Sequence, residues 1–288
     1  MNNELVSAII TTHNRIDLLP RAIDSVLSQT YKNIECIVVD DASIDETQTY
    51  CDGRSDIIYV KISKEESRGG NYARNVGIKR SKGVYCAFLD DDDYWLPEKI
   101  EKQVELIEKK DCELVHCGRR LEVITNNGIV YEDILPLPIH YGDMHKKILL
   151  SICTNTSNIL VKRNALFEIG LFDENLRFWQ EYELTIRLAQ RKPFYAVNEV
   201  LIVYRINKLD TNRLTNKYIE WKNTVRYIHS KHKELYSKLN FFEKMMVKSL
   251  CFYDAKVRLI NSNKPYQAFM AGKLAFIFKL PYRLFLGK

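Results

Sequence analysis

The sequence contains no uninterrupted apolar run of the roughly 18 to 20 residues that a membrane-spanning helix requires. Its first residues lack the basic and apolar regions of a secretion signal, and its seven cysteines lack the paired short spacings of a zinc site. These absences exclude a membrane-spanning protein. We therefore expect a cytoplasmic protein whose thiols are reduced.

Two signatures of nucleotide binding are also missing. The sequence has neither the Gly-x-Gly-x-x-Gly pattern of dinucleotide-binding folds nor the Gly-Lys-Ser/Thr of a P-loop. Instead, Gly69 and Gly70 precede a predicted helix that carries Arg74. Glycines permit close approach of the backbone, and the amides at a helix start favour anions. Arg74 is therefore a candidate to contact a base or a phosphate.

Acidic residues are absent after Asp254. The net charge is +6, and seven basic residues follow Asp254, so the excess of positive charge belongs to the C-terminal tail. From residue 263 to 288 these charges alternate with apolar side chains, although Pro281 interrupts a clean amphipathic stripe. Two interpretations stay open: the tail lies peripherally on the anionic inner face of the cell membrane, or it packs on the domain.

The first third of the chain alternates apolar runs with helical patterns. The runs at 5–11, 34–39, 57–62 and 84–89 are almost unbroken, as is typical of strands buried on both faces of a parallel sheet. With 288 residues, of which 46% are hydrophobic, the chain can bury a full core. We predict an α/β fold with a doubly wound, mostly parallel central sheet.

Beyond residue 111 the pattern changes to shorter strands, including a hairpin that turns at Asn127-Gly128. After Tyr204 the pattern is helical. We therefore predict a catalytic domain over 1–210 and a helical C-terminal extension over 211–288. Within the catalytic domain, 1–110 is the predicted nucleotide-binding half and 111–210 the acceptor-binding half.

Four aspartates, Asp90 to Asp93, directly follow the fourth predicted strand. In a doubly wound sheet, ligands bind beyond the carboxyl ends of the strands. Adjacent carboxylates repel one another unless some are protonated, splayed into water or bound to a shared cation. Asp90 and Asp92 are predicted to hold Mn²⁺ or Mg²⁺ and to leave coordination positions for a diphosphate. The alternative is a solvated acidic turn.

Asp40 and Asp41 end the second predicted strand. A carboxylate there can accept a hydrogen bond from N3–H of uracil, a donor that cytosine lacks. Asp41 is therefore a candidate to select uridine nucleotides. The alternative is that one of the two acids caps the next helix together with Ser43 and Asp45.

The segment 178–188 has the pattern of a helix. Glu183 and Arg187 lie four residues apart and are predicted to form a surface ion pair. Glu181 lacks such a partner in the sequence. It is therefore a candidate general base that removes the proton from an acceptor hydroxyl group.

Together these residues resemble the family-2 glycosyltransferases of the A-type fold, over about residues 5–205. Seven segments match in order. They are 6–15, 28–31, 39–43, 73–75, 88–93, 170–173 and the helix of Glu181. Each match is weak by itself, and the seven in register are specific.

The resemblance implies an inverting, metal-dependent hexosyltransferase. It would move a hexose or N-acetylhexosamine from a UDP-sugar to a hydroxyl of a lipid-linked glycan acceptor, in synthesis of a bacterial surface polysaccharide such as O-antigen or capsule. It assigns nucleotide-sugar binding to Thr11, Asp41, Arg74 and Asp91, the metal Mn²⁺ or Mg²⁺ to Asp90 and Asp92, and the base to Glu181. Two positions depart from the family pattern: Thr11 replaces the usual proline, and Glu181 replaces the usual aspartate.

Two other classes of protein stay open. Aspartate-based phosphatases also carry Asp-x-Asp after an apolar strand, here Asp90 and Asp92, but that strand is usually the first and here it is the fourth. A non-catalytic membrane or nucleic-acid adaptor would use the basic tail and leave the acidic clusters without a role. We expect no nucleic-acid partner.

Overall fold

The computed structural model describes residues 3–210 and 216–286, with side chains up to residue 281. The described parts of Met1–Met144 and Cys153–Leu209 form one compact unit, and those of His145–Ile152 and Asp210–Lys288 form a second. Parts of two sequence predictions lie outside the described residues. These are positions 211–215 of the predicted helical extension, and in the basic tail residues 287 and 288 and the side chains of Arg283, Leu284 and Phe285. The division at 110 and 210 into functional parts stays a prediction.

Within the described residues, the first unit contains one sheet of nine strands. The strands are β1 (Val6–Thr12), β2 (Ile34–Asp41), β3 (Ile58–Ile62), β4 (Tyr85–Asp90), β5 (Tyr94–Trp95), β6 (Leu114–Thr125), β7 (Gly128–Ile134), β8 (Leu160–Lys162) and β9 (Phe194–Asn207). Eight lie in the order β3-β2-β1-β4-β8-β6-β9-β5, and β7 pairs with β6 outside this path.

The helices of the first unit are α1 (Leu19–Leu27), α2 (Thr47–Asp52), α3 (Gly70–Arg80), α4 (Lys99–Lys109), α6 (Arg163–Glu168) and α7 (Gln180–Ala189). Two 3₁₀ helices, Pro138–His140 and Thr156–Asn158, belong to the same unit. The helices of the second unit are α5 (Lys147–Leu150), α8 (Tyr218–Lys231), α9 (Lys233–Ser237), α10 (Phe241–Asn261) and α11 (Pro265–Leu286).

Strand β1 occupies the centre of the parallel part of the sheet. It pairs in parallel with both β2 and β4, and β2 pairs in parallel with β3. Residues 6–10 are fully buried, because helices cover both faces of such a sheet. The register places Thr11 beside Val39 on one side and Asp90 on the other. Both predicted acidic clusters therefore reach the same edge of the sheet.

Helix α3 packs closely on this parallel part. A Cβ atom at Gly77 would lie 2.4 Å from Cγ2 of Ile9 and 3.3 Å from Cγ2 of Val39. Only glycine leaves room for that approach. The approach brings Arg74, one turn earlier on the same helix, toward the ends of β1 and β4.

The antiparallel pairs all involve strands of the second half or β5. β8 is antiparallel to β4 and β6, and β5 is antiparallel to β9. β6 and β7 form the predicted hairpin, with Gly128 at φ 110° in its turn. The structure thus confirms the predicted change from a parallel to a mixed pattern.

In the second unit, α10 and α11 pack together. Oγ of Ser249 donates to the carbonyl oxygen of Ala275 at 2.7 Å, and the rings of Phe252 and Phe278 stack at 5.5 Å. Beyond Phe241 at the start of α10, eight apolar or aromatic side chains of the two helices are exposed among the described residues, and we name these eight the apolar face. They are Tyr253, Val257, Ile260, Tyr266, Phe269, Met270, Phe276 and Ile277. Among the described residues, no helix has both the length and the apolar character required to cross a bilayer.

Candidate active site

The four consecutive aspartates do not share one environment. Asp90 is the last residue of β4, and the side chains of Asp90 and Asp92 are 30% and 33% exposed. Asp91 and Asp93 are buried. The alternation follows from the turn after β4, which directs every second side chain inward. The two carboxylates predicted to hold a metal are therefore the two that a ligand can reach.

The buried pair has protein partners. Asp93 accepts hydrogen bonds from Oγ of Ser157 at 2.6 Å and from the backbone N–H of Arg205 at 2.9 Å. Asp91 accepts one from Nη1 of Arg15 at 2.9 Å. Asp91, predicted to bind the nucleotide sugar, is thus placed where it can act on a ligand through Arg15.

Crowding and burial disfavour the charged forms of these acids. Burial raises the pKa of Asp91 to about 6, although Arg15 opposes the shift. Burial also raises the pKa of Asp92, again against Arg15, and the charge of Asp90 adds to the increase. The pKa of Asp93 lies well above its ordinary value because of burial and the charges of Asp92 and Asp90. A cation near Asp90 and Asp92 would relieve this repulsion.

The residues present fit a divalent metal bound by two carboxylates. One oxygen of Asp90 bonds Nη2 of Arg74 at 2.6 Å, and one oxygen of Asp92 bonds Nη1 of Arg15 at 2.9 Å. Carboxylate oxygens are the donors that Mn²⁺ and Mg²⁺ prefer. Among the described residues, no group of three or more His, Cys, Asp and Glu could hold a metal alone. A metal here would need further ligands, and diphosphate oxygens and water supply them.

The two acids at the end of β2 have separate roles. Asp40 is fully buried, accepts from the backbone N–H of Ser43 at 2.8 Å and accepts from the hydroxyl of Tyr59 at 2.7 Å. Asp41 is buried, and its Oδ1 has no hydrogen-bond partner in the part of the chain that the structure describes. Asp40 therefore fixes the loop after β2, while Asp41 keeps an oxygen for a donor such as uracil N3–H.

Arg74 joins three parts of the site. Its guanidinium donates to Asp90, to Oε1 of Gln180 at 2.8 Å and to Oδ1 of Asn71 at 3.2 Å. The structure thus brings Arg74 together with Asp90, a predicted metal ligand, and with the start of α7. Its predicted contact with the nucleoside stays a prediction.

Glu181 lies in the first turn of α7, directly after Gln180. Burial raises the pKa of Glu181 to about 7, and the charges of Arg74, Asp90 and Arg119 also act on it. A carboxylate with that pKa can accept a proton near neutral pH. Trp179, just before α7, has left-handed backbone angles (φ 51°, ψ 34°), which are rare for a bulky residue and concentrate at functional sites.

Three further residues lie among these acids. Arg15 bridges Asp91 and Asp92, and Ser157 bonds Asp93 while its Oγ also accepts from the backbone N–H of Asp90. Burial raises the pKa of the Tyr204 phenol, and the charges of Asp93, Asp92, Asp90 and Glu181 add to the increase. Tyr204 therefore stays protonated among carboxylates. Arg15 belongs to the matched segment 6–15, but no sequence signal marks Tyr204.

The ion pair of Glu183 and Arg187 forms as predicted, at 2.7 Å, but the prediction of a surface pair is wrong. The Glu183 side chain is fully buried, because this face of α7 packs into the first unit. Three donor contacts from Arg187 compensate the buried charge.

Comparison with known proteins shows the family. A model of the family described as Glycosyl transferase family 2 matches residues 7–170. Uncharacterized glycosyltransferase RP339 of Rickettsia prowazekii is 35% identical over 229 residues, which cover 75% of this chain and 68% of that protein. An Escherichia coli protein, UDP-Glc:alpha-D-GlcNAc-diphosphoundecaprenol beta-1,3-glucosyltransferase WfgD, is 29% identical over 222 residues, covering 77% and 84%. The chain belongs to glycosyltransferase family 2 and is a glycosyltransferase, as predicted.

Two solved structures show the fold. The mannosyltransferase PcManGT of Pyrobaculum calidifontis, in complex with GDP-Man and Mn²⁺, has a TM-score of 0.64 at 14% identity. The match covers 99% of this chain and 88% of the mannosyltransferase chain. Staphylococcus aureus TarS with UDP-GlcNAc has a TM-score of 0.59 at 14% identity, covering 97% and 92%. The A-type fold prediction is confirmed. The family gives no support to the phosphatase or the adaptor alternative.

Proposed function

We propose that this enzyme transfers a hexose or N-acetylhexosamine from a UDP-sugar to a hydroxyl of a lipid-linked glycan acceptor, in synthesis of a bacterial surface polysaccharide such as O-antigen or capsule. The main support comes from one edge of the sheet. There the accessible carboxylates of Asp90 and Asp92 lie at the same strand ends as Asp41, whose Oδ1 has no hydrogen-bond partner among the described residues. The name of WfgD, which states a UDP-Glc donor and a diphosphoundecaprenol-linked acceptor, supports both substrate classes.

The donor nucleotide would bind across the ends of β1 and β2. Asp41 would accept the hydrogen bond of uracil N3–H. Thr11, which pairs with Val39 two residues before Asp41, would contact the nucleoside. Arg74 would hold the carboxylate of Asp90 in place through the 2.6 Å ion pair. A buried acceptor oxygen left unpaired is unfavourable, so the base that satisfies it is bound selectively.

Asp90 and Asp92 would hold Mn²⁺ or Mg²⁺, which when bound supplies positive charge to the departing diphosphate. The arginines at this edge add fixed positive charge around the same pair of carboxylates, through Arg15 at Asp92 and Arg74 at Asp90. The phenol of Tyr204, kept protonated among the carboxylates, would donate a hydrogen bond to an oxygen of the substrate.

Glu181 would accept the proton of the acceptor hydroxyl as its oxygen attacks the anomeric carbon. The new glycosidic C–O bond forms as the bond from that carbon to the diphosphate breaks on the opposite side. The configuration at the anomeric carbon therefore inverts, and UDP leaves with the electron pair of the broken bond. Glu181 is longer than aspartate by one methylene, which sets the acceptor slightly further from α7.

The proposal is tested with the purified protein in Mn²⁺ by release of nucleoside diphosphate from UDP-glucose, UDP-galactose and their N-acetylated forms, with CDP-glucose as the control donor. Lipid-diphosphate-linked and aryl glycosides serve as acceptors. We expect a UDP-sugar to be used at least about tenfold faster than CDP-glucose, because cytosine lacks the N3–H donor that would pair with the buried oxygen of Asp41. Equal or preferential use of CDP-glucose would contradict the assignment of Asp41.

We infer that the enzyme acts in the cytoplasm and lies peripherally on the inner face of the cell membrane through the apolar face of α10 and α11. Phe269 and Phe276 are 57% and 56% exposed, and Lys256 and Lys273 line the groove beside them. No acidic residue follows Asp254 in the sequence. Apolar rings flanked only by lysines suit an anionic lipid surface, whereas a second copy would oppose lysine to lysine.

Vesicle sedimentation tests this inference. We expect the double variant Phe269→Ser, Phe276→Ser to bind vesicles of phosphatidylglycerol and phosphatidylcholine at least about tenfold more weakly than the parent, because two aromatic side chains lose their apolar environment. Phe167→Ser, which changes an exposed phenylalanine on α6 of the first unit, is the matched control. Equal binding of parent and double variant would overturn the inference.

A further inference from the structure

Arg119 is a half-buried cation that lacks an ion-pair partner within residues 3–210 and 216–286. It lies on β6, paired in register with Ile134 of β7 and Ile202 of β9. Within the residues that the structure describes, it forms no salt bridge and no hydrogen bond through its side chain. Its neighbour Arg120 is exposed and donates to both carboxylate oxygens of Asp133, at 2.6 and 2.8 Å. An anion beside a partly buried guanidinium stabilises its charge, because burial has removed part of its water.

The fold connects Arg119 to the acidic cluster through the 3₁₀ helix Thr156–Asn158. Ser157 of this helix bonds Asp93 at 2.6 Å, and Nδ2 of Asn158 donates to the carbonyl oxygen of Cys117 at 2.9 Å. Cys117 precedes Arg119 by two residues on β6. Two hydrogen bonds of this 3₁₀ helix therefore link the part of β6 that carries Arg119 to the turn of Asp90–Asp93.

Arg119 belongs to the Glu181 side of the site. Asn158, which donates to Cys117 on β6, also accepts from the backbone N–H of Asn155 at 3.1 Å, so the segment after Cys153 lies against the part of β6 that carries Arg119. The charge of Arg119 acts on both Glu181 and Cys153, which agrees with this placement. Asp91 and Asp92 already have Arg15 as their cation. The general base must face the acceptor, and the donor's diphosphate belongs at Asp90 and Asp92. Arg119 is thus on the acceptor side.

Two further donors without partners follow Cys153. Oγ1 of Thr154 and Nδ2 of Asn155 are buried and have no hydrogen-bond partner among the described residues. A hydroxyl and an amide N–H group can each donate to an anion. A guanidinium with two neutral donors matches the oxygen-rich surface of a phosphate group.

We propose that Arg119, with Thr154 and Asn155, forms a subsite for the phosphate that links the acceptor sugar to its lipid. The proposal rests on the proposed function, since it takes the acceptor to be a glycosyl diphosphate. The subsite recognises the diphosphate, and the lipid chain contributes little to it. An acceptor with the same sugar and no phosphate would lose this contact.

The experiment compares two synthetic acceptors, N-acetylglucosaminyl diphosphate with a short alkyl chain and the matching neutral alkyl glycoside. We expect Arg119→Ala to raise the acceptor KM roughly 10- to 100-fold for the diphosphate alone, as the loss of a charge-assisted hydrogen bond predicts. Arg119→Lys should restore part of the affinity. In Arg119→Ala, the rate of UDP-sugar hydrolysis without acceptor and the midpoint of thermal unfolding should equal those of the parent. The control variant Arg120→Ala should equal the parent in every measurement.

Equal loss of rate with both acceptors would show a structural role and overturn the proposal. Slower donor hydrolysis in Arg119→Ala would assign Arg119 to the donor's diphosphate and overturn it as well. Calorimetry measures binding of the diphosphate acceptor directly and therefore tests the subsite even when no sugar is transferred. If the parent binds the diphosphate acceptor and Arg119→Ala does not, the subsite is supported. If no sugar is transferred in the same experiments, only the proposed function fails.

Discussion

Replacement of Asp92 by alanine is expected to lower kcat/KM for sugar transfer roughly a thousandfold, because a metal-site carboxylate contributes several kcal/mol to transition-state charge stabilisation. Asp91 remains paired with Arg15 in this variant, so the fold of the turn should persist. UDP binding in Mn²⁺, measured by calorimetry, should weaken in parallel. Metal-free UDP binding should change little.

The control is Asp56→Ala, which removes an exposed carboxylate that pairs with Arg54. It should leave both UDP binding and transfer at the level of the parent. If Asp92→Ala bound UDP in Mn²⁺ as tightly as the parent, Asp92 would not be a metal ligand. A chelator should inactivate the parent, and added Mn²⁺ should restore its activity.

Replacement of Glu181 by glutamine is expected to lower kcat by about 10²- to 10⁴-fold, the range of a general base. The parent should show a pH profile in which kcat/KM falls about tenfold per pH unit below about 7, the pKa to which burial raises Glu181. The base acts only when it is deprotonated, so activity is present above this pKa and lost below it. The variant should lack this limb of the profile.

The same variant should be more stable than the parent at high pH. The unfolded chain ionises Glu181 near its ordinary value of 4.5, whereas the folded chain keeps the proton until about 7. Between these values the folded state binds more protons, so stability falls as pH rises through the window and the cost persists above it. Glu181→Gln should therefore raise the free energy of unfolding at pH 8 by about 3 kcal/mol and change it little at pH 4.

Urea denaturation at the two pH values measures the difference. Glu105→Gln, which alters an exposed carboxylate paired with Lys109, is the control and should change neither stability nor rate. A glutamine variant with full activity would remove Glu181 from the mechanism. A pH-independent change in stability would instead show that burial does not raise its pKa.

The parallel half of the fold was predictable because its strands are buried on both faces. Such strands appear in the sequence as unbroken apolar runs, and their carboxyl ends fix where ligands bind. Asp41, Asp90 and Asp92 were therefore predicted at one edge, and the register of β1 with β2 and β4 places them there. The helix of Glu181 was also predicted, because its apolar positions have helical spacing.

The partners of these acids were not predictable. Asp93 bonds Ser157 and Arg205, which lie 64 and 112 positions away in the sequence. Only the completed sheet brings such residues together, and neither local spacing nor propensity records it. The Glu183–Arg187 pair shows the same limit in a helix. Spacing predicts that the two charges meet, but not that other elements cover the glutamate.

Trp179, at the N-terminal end of α7, has a left-handed backbone conformation that lowers stability, while its side chain supports activity. A glycine would adopt these angles without steric cost, yet it would give up the edge-to-face contact of the Trp179 ring with Tyr182, at 5.2 Å between centroids. The rigid ring holds the first turn of α7, and with it the direction in which Glu181 points. Selection for thermal stability alone would therefore favour glycine at position 179. The catalytic rate would fall as the stability rose.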